Sequence, residues 1–262
     1  MPPGVMGILN LTPDSFSDGG RHADPDTAFA AARAMIDAGA ALVDIGGEST
    51  RPRAPLIPEA EELARVGPLL DRLRGSGIPF SIDTRKAAVM ARALDAGAVL
   101  VNDVSALTFD PGALALVARR DCPVVLMHAQ GTPQTMQDAP RYDDVLAEVH
   151  DWLAARIEAC VAAGVARERI TVDPGIGFGK TLEHNLTLLR GLARLGDLGC
   201  PVLLGVSRKK MIGTLTGAAL PDRLPGSLAL ALHGAGQGVS MVRVHDVPET
   251  VQALRMWAAL TP

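Results

Sequence analysis

Aromatic side chains are scarce in this sequence: Phe, Trp and Tyr together make up 3% of its 262 residues. Ala, Val and Leu dominate the 48% apolar content, which suits helices laid on a parallel sheet and speaks against an aromatic-rich binding surface. Cysteine is also rare. Cys122, Cys160 and Cys200 are far apart and odd in number, so no disulfide framework, metal spacing or redox pair is expected. They read as free buried thiols in a reducing cytosol. Nor is there an excess of charge. The formal net charge is -4, which gives no bulk attraction to nucleic acid or membrane, so an anionic substrate needs a local cluster of cations. Apolar runs are broken by Asp, Glu or Arg before the ~18 residues that a membrane helix needs. The opening Met1-Pro2-Pro3-Gly4 lacks the pattern of a signal peptide, and a soluble, cytoplasmic protein is expected. No linker, low-complexity segment or composition break divides residues 1–262, so one domain is expected.

What is present is an alternation of short β-branched runs and Ala- and Leu-rich helical stretches. The strand runs are Val5–Leu9, Leu42–Ile45, Phe80–Ile82, Val99–Val101, Val124–Met127, Ile170–Val172, Val202–Val206 and Met241–Val244. Helical patterns lie between them at Asp26–Ala38, Glu59–Leu73, Lys86–Ala96, Pro111–Arg119, Val145–Ala163, Leu182–Leu195, Leu224–Gln237 and Val247–Leu260. Near-continuous apolar strands joined by helices imply a parallel sheet covered on both faces. Eight such units in a chain of this length predict an α/β fold, a (β/α)₈ barrel of the TIM type, which typically needs about 250 residues. Ala-Gly pairs at 38–39, 96–97 and 163–164 fit glycine caps at short αβ loops. Residues 11–25 and 46–58, rich in Gly, Pro, Ser and Asp, read as long loops on the catalytic face, mobile when empty.

Polar residues follow each apolar run: Asn10, Asp44 with Glu48, Asp83 with Arg85, Asn102-Asp103, His128, Asp173, Ser207-Arg208-Lys209-Lys210, and Arg243 with His245 and Asp246. Any one Asp or Asn here could be a helix cap, and Asp44, Asp103 and Asp246 singly are as well explained that way. Capping does not explain the cations. Acceptors (Asp83, Asn102, Asp173) beside cations (Lys209, Arg243, His245) suit a polar heterocycle joined to an anion, since Arg stacks on rings and contacts phosphate. Three local patterns fail. Gly179-Lys180-Thr181 would need a glycine at Pro174 to be a P-loop, Gly205–Lys209 misses the last glycine of a nucleophile elbow, and Gly175–Gly179 lacks dinucleotide spacing.

In order along the chain, the segments Met6–Gly20, Asp44–Pro52, Ser81–Thr84, Asn102–Val104, Leu126–His128, Asp173–Lys180, Gly205–Lys209 and Arg243–Asp246 resemble the signatures of dihydropteroate synthase. The resemblance implies condensation of hydroxymethyl-dihydropterin diphosphate with p-aminobenzoate, giving dihydropteroate and diphosphate in folate biosynthesis. It implies that Asp83, Asn102, Asp173 and Lys209 hold the pterin edge while Met127, Phe178 and Arg243 pack its faces. Asn10, Arg51, Arg243 and His245 would hold the diphosphate, with Mg²⁺ on Asn10 and Asp18. Phe16, Thr50, Pro52 and Lys210 would shape the p-aminobenzoate pocket, and Asp83, Lys209, Arg51 and Asn10 would carry the catalysis. It further implies a homodimer, a sulfonamide target, with small-molecule substrates and neither nucleic acid nor membrane as a partner. Two departures stand out. Lys210 replaces the family's usual small hydroxyl residue, and the chain begins almost at the first strand, so the barrel floor is expected to close differently. Two other readings keep a pterin site: a methyltetrahydrofolate-dependent methyltransferase, which would leave Arg51 and His245 without a role, and a non-catalytic pterin-binding paralogue.

Overall fold

The computed structural model describes residues 1–12 and 24–261. Eight parallel strands, β1 (Gly4–Asn10), β2 (Leu42–Gly46), β3 (Phe80–Asp83), β4 (Leu100–Asp103), β5 (Val124–Met127), β6 (Ile170–Asp173), β7 (Leu203–Gly205) and β8 (Met241–Val244), form one sheet in the order β6-β5-β4-β3-β2-β1-β8-β7. A parallel bridge between Val172 and Val202 brings β6 against the start of β7 and closes the ring. The (β/α)₈ barrel expected from the alternation is therefore the fold. Among the described residues its helices are α1 (Pro25–Asp37), α2 (Glu59–Leu73), α3 (Ala87–Ala96), α4 (Ala113–Arg120), α5 (Val145–Ala162), α6 (Leu182–Arg190), α7 (Lys210–Thr216), α8 (Leu224–Gly236) and α9 (Val247–Leu260).

Local chemistry sets the helix ends. The Asp24 carboxylate accepts from Thr27 N–H ahead of Pro25, Asp144 accepts from the amides of Leu146 and Ala147, and Thr181 with His184 completes a reciprocal capping box on α6. Two helical expectations need correction. The pattern Leu182–Leu195 is broken: α6 stops at Arg190 and a 3₁₀ turn, Leu192–Leu198, follows. The break falls at Gly191, where a Cβ would lie 2.3 Å from a methyl of Leu146 on α5, so α5 can approach only because that position has no side chain. The short α7 directly after the 207–210 charge run was not anticipated, because charge hides the apolar pair Met211 and Ile212 that it buries.

Strand residues two apart share a face. Outward side chains such as Val43, Ile45, Ile82, Val101, Val124, Leu126 and Val242 join the main core beneath the helices. Inside the barrel, Met6, Leu42, Val125 and Leu203 form a separate apolar cluster with Leu100 and Met241 packed against it. The barrel's own side chains therefore fill its floor. Two residues further along those strands stand Ile8, Asp44, Asn102, Met127, Gly205 and Arg243, so polar and charged groups enter the interior within one step of the strand repeat.

Candidate active site

At the carboxyl end of the barrel Arg243 is gripped by two carboxylates. Its Nε donates to Asp44 Oδ2 at 2.6 Å and its Nη2 to Asp83 Oδ2 at 2.7 Å. Asp44 also accepts from Ser81 Oγ at 2.6 Å and Asn102 Nδ2 at 2.9 Å, so β2, β3, β4 and β8 are bonded together through one buried side chain. Asp44 lies within β2 and caps no helix, which removes the capping reading for it. Asp103 caps no helix either: its carboxylate accepts from Ser105 N, Ser105 Oγ and Leu107 N and ties the loop after β4, while α4 starts from Gly112.

Asp173 ends β6 and accepts from Gly175 N–H at 2.7 Å. Burial pushes its carboxyl up, partly offset by that amide and by Lys209. Burial likewise pushes Asp83 up to about 7, against the pull of Arg243 and with the carboxylates of Asp44, Glu62 and Asp103 adding to the rise. Lys209 is drawn down to about 8 by burial, with Asp173 and Asp83 pulling it back up and Arg243 pushing it further down. Its Nζ stands 4.3 Å from the ring centroid of Phe178, a cation–π contact. Three adjacent charges thus meet three fates. Lys209 turns inward, Arg208 turns out to a two-point ion pair with Asp246, and Lys210 is exposed at the start of α7. Arg208 adopts a left-handed φ of 56°, and its backbone N–H is held by Ser227 Oγ at 2.9 Å.

His245 is neutral, pushed down to about 4 by burial and by the neighbouring cations Arg243 and Arg208. Ser207 Oγ accepts from the His245 backbone N–H at 3.1 Å and is hydrogen-bonded to the ring Nδ1 at 3.0 Å, which fixes the imidazole at the site.

The loop after β6 is shaped around Gly175. At φ +66° a Cβ there would lie 1.9 Å from the carbonyl oxygen of His128, so only glycine fits. Lys180, 2% exposed, ties this loop to β5. An open cleft adjoins Met127 and Phe178, and Arg85, Val104, Phe109 and Trp152 also line it.

The structure thus unites Asp83, Asn102, Asp173, Lys209, Arg243, Met127 and Phe178 of the expected set. Asn10 and Asp83 flank Gly46, where a Cβ would come 3.5 Å from Asn10 Oδ1 and 3.6 Å from Asp83 Oδ2. Glycine keeps that space clear. Arg51, exposed, adds its charge to the field at His245. Thr50 and Pro52 sit on the loop after β2 and Lys210 is the first residue of α7, all three apart from the hydrogen-bonded set. Phe16 and Asp18 lie outside the described residues. The loop 46–58 is fastened at its base, where Ile57 N–H donates to Glu48 at 3.1 Å, and at its tip, where Arg53 N–H donates to Pro133 O at 2.8 Å. Glu48 and Arg85, read from sequence as strand-end charges, pair with each other at 2.9 Å, and Arg85 lies over the Phe109 ring at the cleft wall. Sequence reasoning passed over Asp44, Ser207, Lys180 and Gly205 as site residues. A Cβ at Gly205 would lie 3.8 Å from Asp173 Oδ2, and a glycine inside an apolar strand was the available signal.

The chain matches the family model of pterin binding enzymes over residues 6–245. It is 51% identical to the dihydropteroate synthase of Neisseria meningitidis serogroup C, over 98% of this chain and 93% of that protein. The dihydropteroate synthase of Yersinia pestis in a sulfonamide drug complex superposes with a TM-score of 0.94 at 48% identity, covering 99% of this chain and 94% of that one. That of Xanthomonas albilineans with 4-aminobenzoic acid gives 0.93 at 50% identity, covering 100% and 94%.

Proposed function

The chain belongs to the dihydropteroate synthase family of pterin binding enzymes, and from that premise we propose how its own residues divide the work. The reaction is a transfer in folate synthesis. The amine of p-aminobenzoate takes the methylene of hydroxymethyl-dihydropterin diphosphate, and diphosphate leaves. The observation that carries the residue assignment is the convergence of Asp83, Asn102, Asp173, Lys209 and Arg243 on one end of the barrel.

Asp173 accepts from the adjacent ring N–H and amino donors of the pterin, and Asn102 and Lys209 complete its polar edge. Met127 and Phe178 cover its faces. Arg243 has five N–H donors and spends one each on Asp44 and Asp83, so it retains others for the diphosphate, alongside Arg51, Asn10 and the ring of His245. These donors and cations stabilise negative charge as it develops on the departing group. We favour loss of diphosphate ahead of attack. The methylene cation is delocalised into the pterin, and the buried Asp83 is drawn to its ionised form beside it. The arylamine, already neutral, adds without a strong base.

Magnesium fits the donor set. The Asn10 amide oxygen faces the space that Gly46 leaves clear, and a hard cation of this kind is commonly held by one or two protein oxygens plus substrate phosphate. Asn10 and Asp18 would hold it, and bound there it would neutralise the leaving group. Phe16, Thr50, Pro52 and Lys210 would form the p-aminobenzoate pocket. The methyltransferase reading gives no role to Arg51 and His245, and a non-catalytic paralogue would be expected to have lost them. A homodimer belongs to the same reading, and sedimentation would test it. Among the described residues no helix is long and apolar enough to cross a membrane, and a cytoplasmic location accords with the three free buried cysteines. Dihydropteroate formation that requires both substrates and Mg²⁺ tests the whole reading. No dihydropteroate from the two substrates together with Mg²⁺ would overturn it.

A further inference from the structure

Asp44 is fully buried, yet all three of its partners are polar side chains delivered by other strands: Ser81 from β3, Asn102 from β4 and Arg243 from β8. Removing a carboxylate from water costs several kcal/mol, and an apolar side chain would fill the barrel more cheaply if packing were all that was needed. With no exposed surface, Asp44 cannot touch a ligand. Asp83, which grips the other edge of the same guanidinium, stands at the strand end, with one carboxylate oxygen beside the gap at Gly46. One carboxylate is thus committed to the protein on every side, while its partner on Arg243 keeps a little exposure, 6% against 0%.

We infer that Asp44 is a positioning residue, which fixes Arg243 by its Nε edge and holds Asn102 in register so that Asp83 is free to exchange Arg243 for the arriving pterin. The inference rests on the pterin reading of the site. Without Asp44, the guanidinium falls wholly to Asp83 and occupies the lone pairs that the pterin needs, and Asn102 loses its orientation.

The test is a double-mutant cycle read by calorimetric titration with hydroxymethylpterin, each variant first checked for folding by thermal melting. Asp44→Asn should weaken pterin binding by about tenfold or more. In an Arg243→Gln background the same change should alter affinity by less than about threefold, the residue of the Asn102 contact, because the coupling runs through the guanidinium. Ser81→Ala, which frees one oxygen of Asp44, should give a smaller loss with the same dependence on Arg243, and it serves if Asp44→Asn does not fold. Unchanged affinity in both single variants, or equal losses in both backgrounds, overturns the inference. Failure of the unsubstituted protein to bind the pterin at all overturns the reading beneath it instead.

Discussion

The ammonium of Lys180, on the loop after β6, lies 2.9 Å from Nδ1 of His128 at the end of β5. It also donates to three carbonyls, those of Phe178 at 2.9 Å, Gly175 at 3.0 Å and His128 at 3.3 Å. Burial pulls Lys180 down to about 7, but four acceptors around one nitrogen favour the form with three N–H donors. The clasp fixes the loop that presents Phe178 to Lys209. Lys180→Met should therefore cost roughly 2–3 kcal/mol in urea unfolding, because buried carbonyls lose their donor. It should also raise KM for the pterin substrate. A variant of unchanged stability would show that the clasp is ornamental.

His128 supplies a pH dependence. Burial, reinforced by Lys180, pushes it down to about 3, against about 6.5 in an unfolded chain. Below pH 6.5 the unfolded chain therefore binds a proton that the folded one does not, and the stability due to this residue falls as pH falls toward 3. Compared with His128→Gln, whose amide oxygen can still accept from Lys180, the unsubstituted protein should lose about 1 kcal/mol of relative stability per pH unit in that range. Urea melts of both proteins at pH 7 and pH 5 check the sign. A constant difference would mean that His128 is charged in the fold.

Asp173→Asn keeps an oxygen for Gly175 N–H but turns an amide toward the pterin donors. Affinity for the pterin diphosphate should fall on the order of a hundredfold while the melting transition stays cooperative. Near-normal affinity by calorimetry would remove Asp173 from the site.

Much of this was legible in the sequence, and the misreadings share physical causes. The eight strands and the barrel were evident because strands buried on both faces are apolar throughout. Strand ends were placed too early, as at Asn102 and Asp173, because a polar residue stops an apolar run on the page. Inside a barrel, alternate side chains face a shared interior, where a carboxylate can remain in the strand if Arg243 or Asn102 meets it. Asp44 was ambiguous for the same reason: its partners are 37, 58 and 199 residues away. The fates of Arg208, Lys209 and Lys210 depend on a left-handed backbone at Arg208 that no local pattern announces.

Lys210 is exposed and free to reach a carboxylate at the rim. Lys210→Ser restores the hydroxyl that the family usually carries there, so turnover should persist with a modest rise in KM for p-aminobenzoate. Loss of all turnover would give Lys210 a part in the chemistry itself.

Arg51 tests the order of binding. The loop that bears it is fastened at Ile57 and Arg53, which leaves residues 49–52 to respond to an anion. p-Aminobenzoate should bind weakly to the free enzyme and tightly once pyrophosphate and Mg²⁺ are present, a gate of a kind that phosphate ligands drive elsewhere. Arg51→Ala should abolish that enhancement and leave binding of free pterin intact. Equal p-aminobenzoate affinity with and without pyrophosphate would mean a preformed pocket.

The floor of Met6, Leu42, Val125 and Leu203 lies one strand repeat below the charged mouth. Deleting a single residue between them, for instance Val43 in β2, would swing Leu42 or Asp44 into the layer beneath the helices and carry the chemistry out of the barrel. Deletion of a residue in the loop 46–58 leaves that phase intact. The catalytic constellation is therefore encoded in the parity of residue counts as much as in residue identity. Evolution can recolour these strands one side chain at a time, but it can shorten or lengthen them only in pairs.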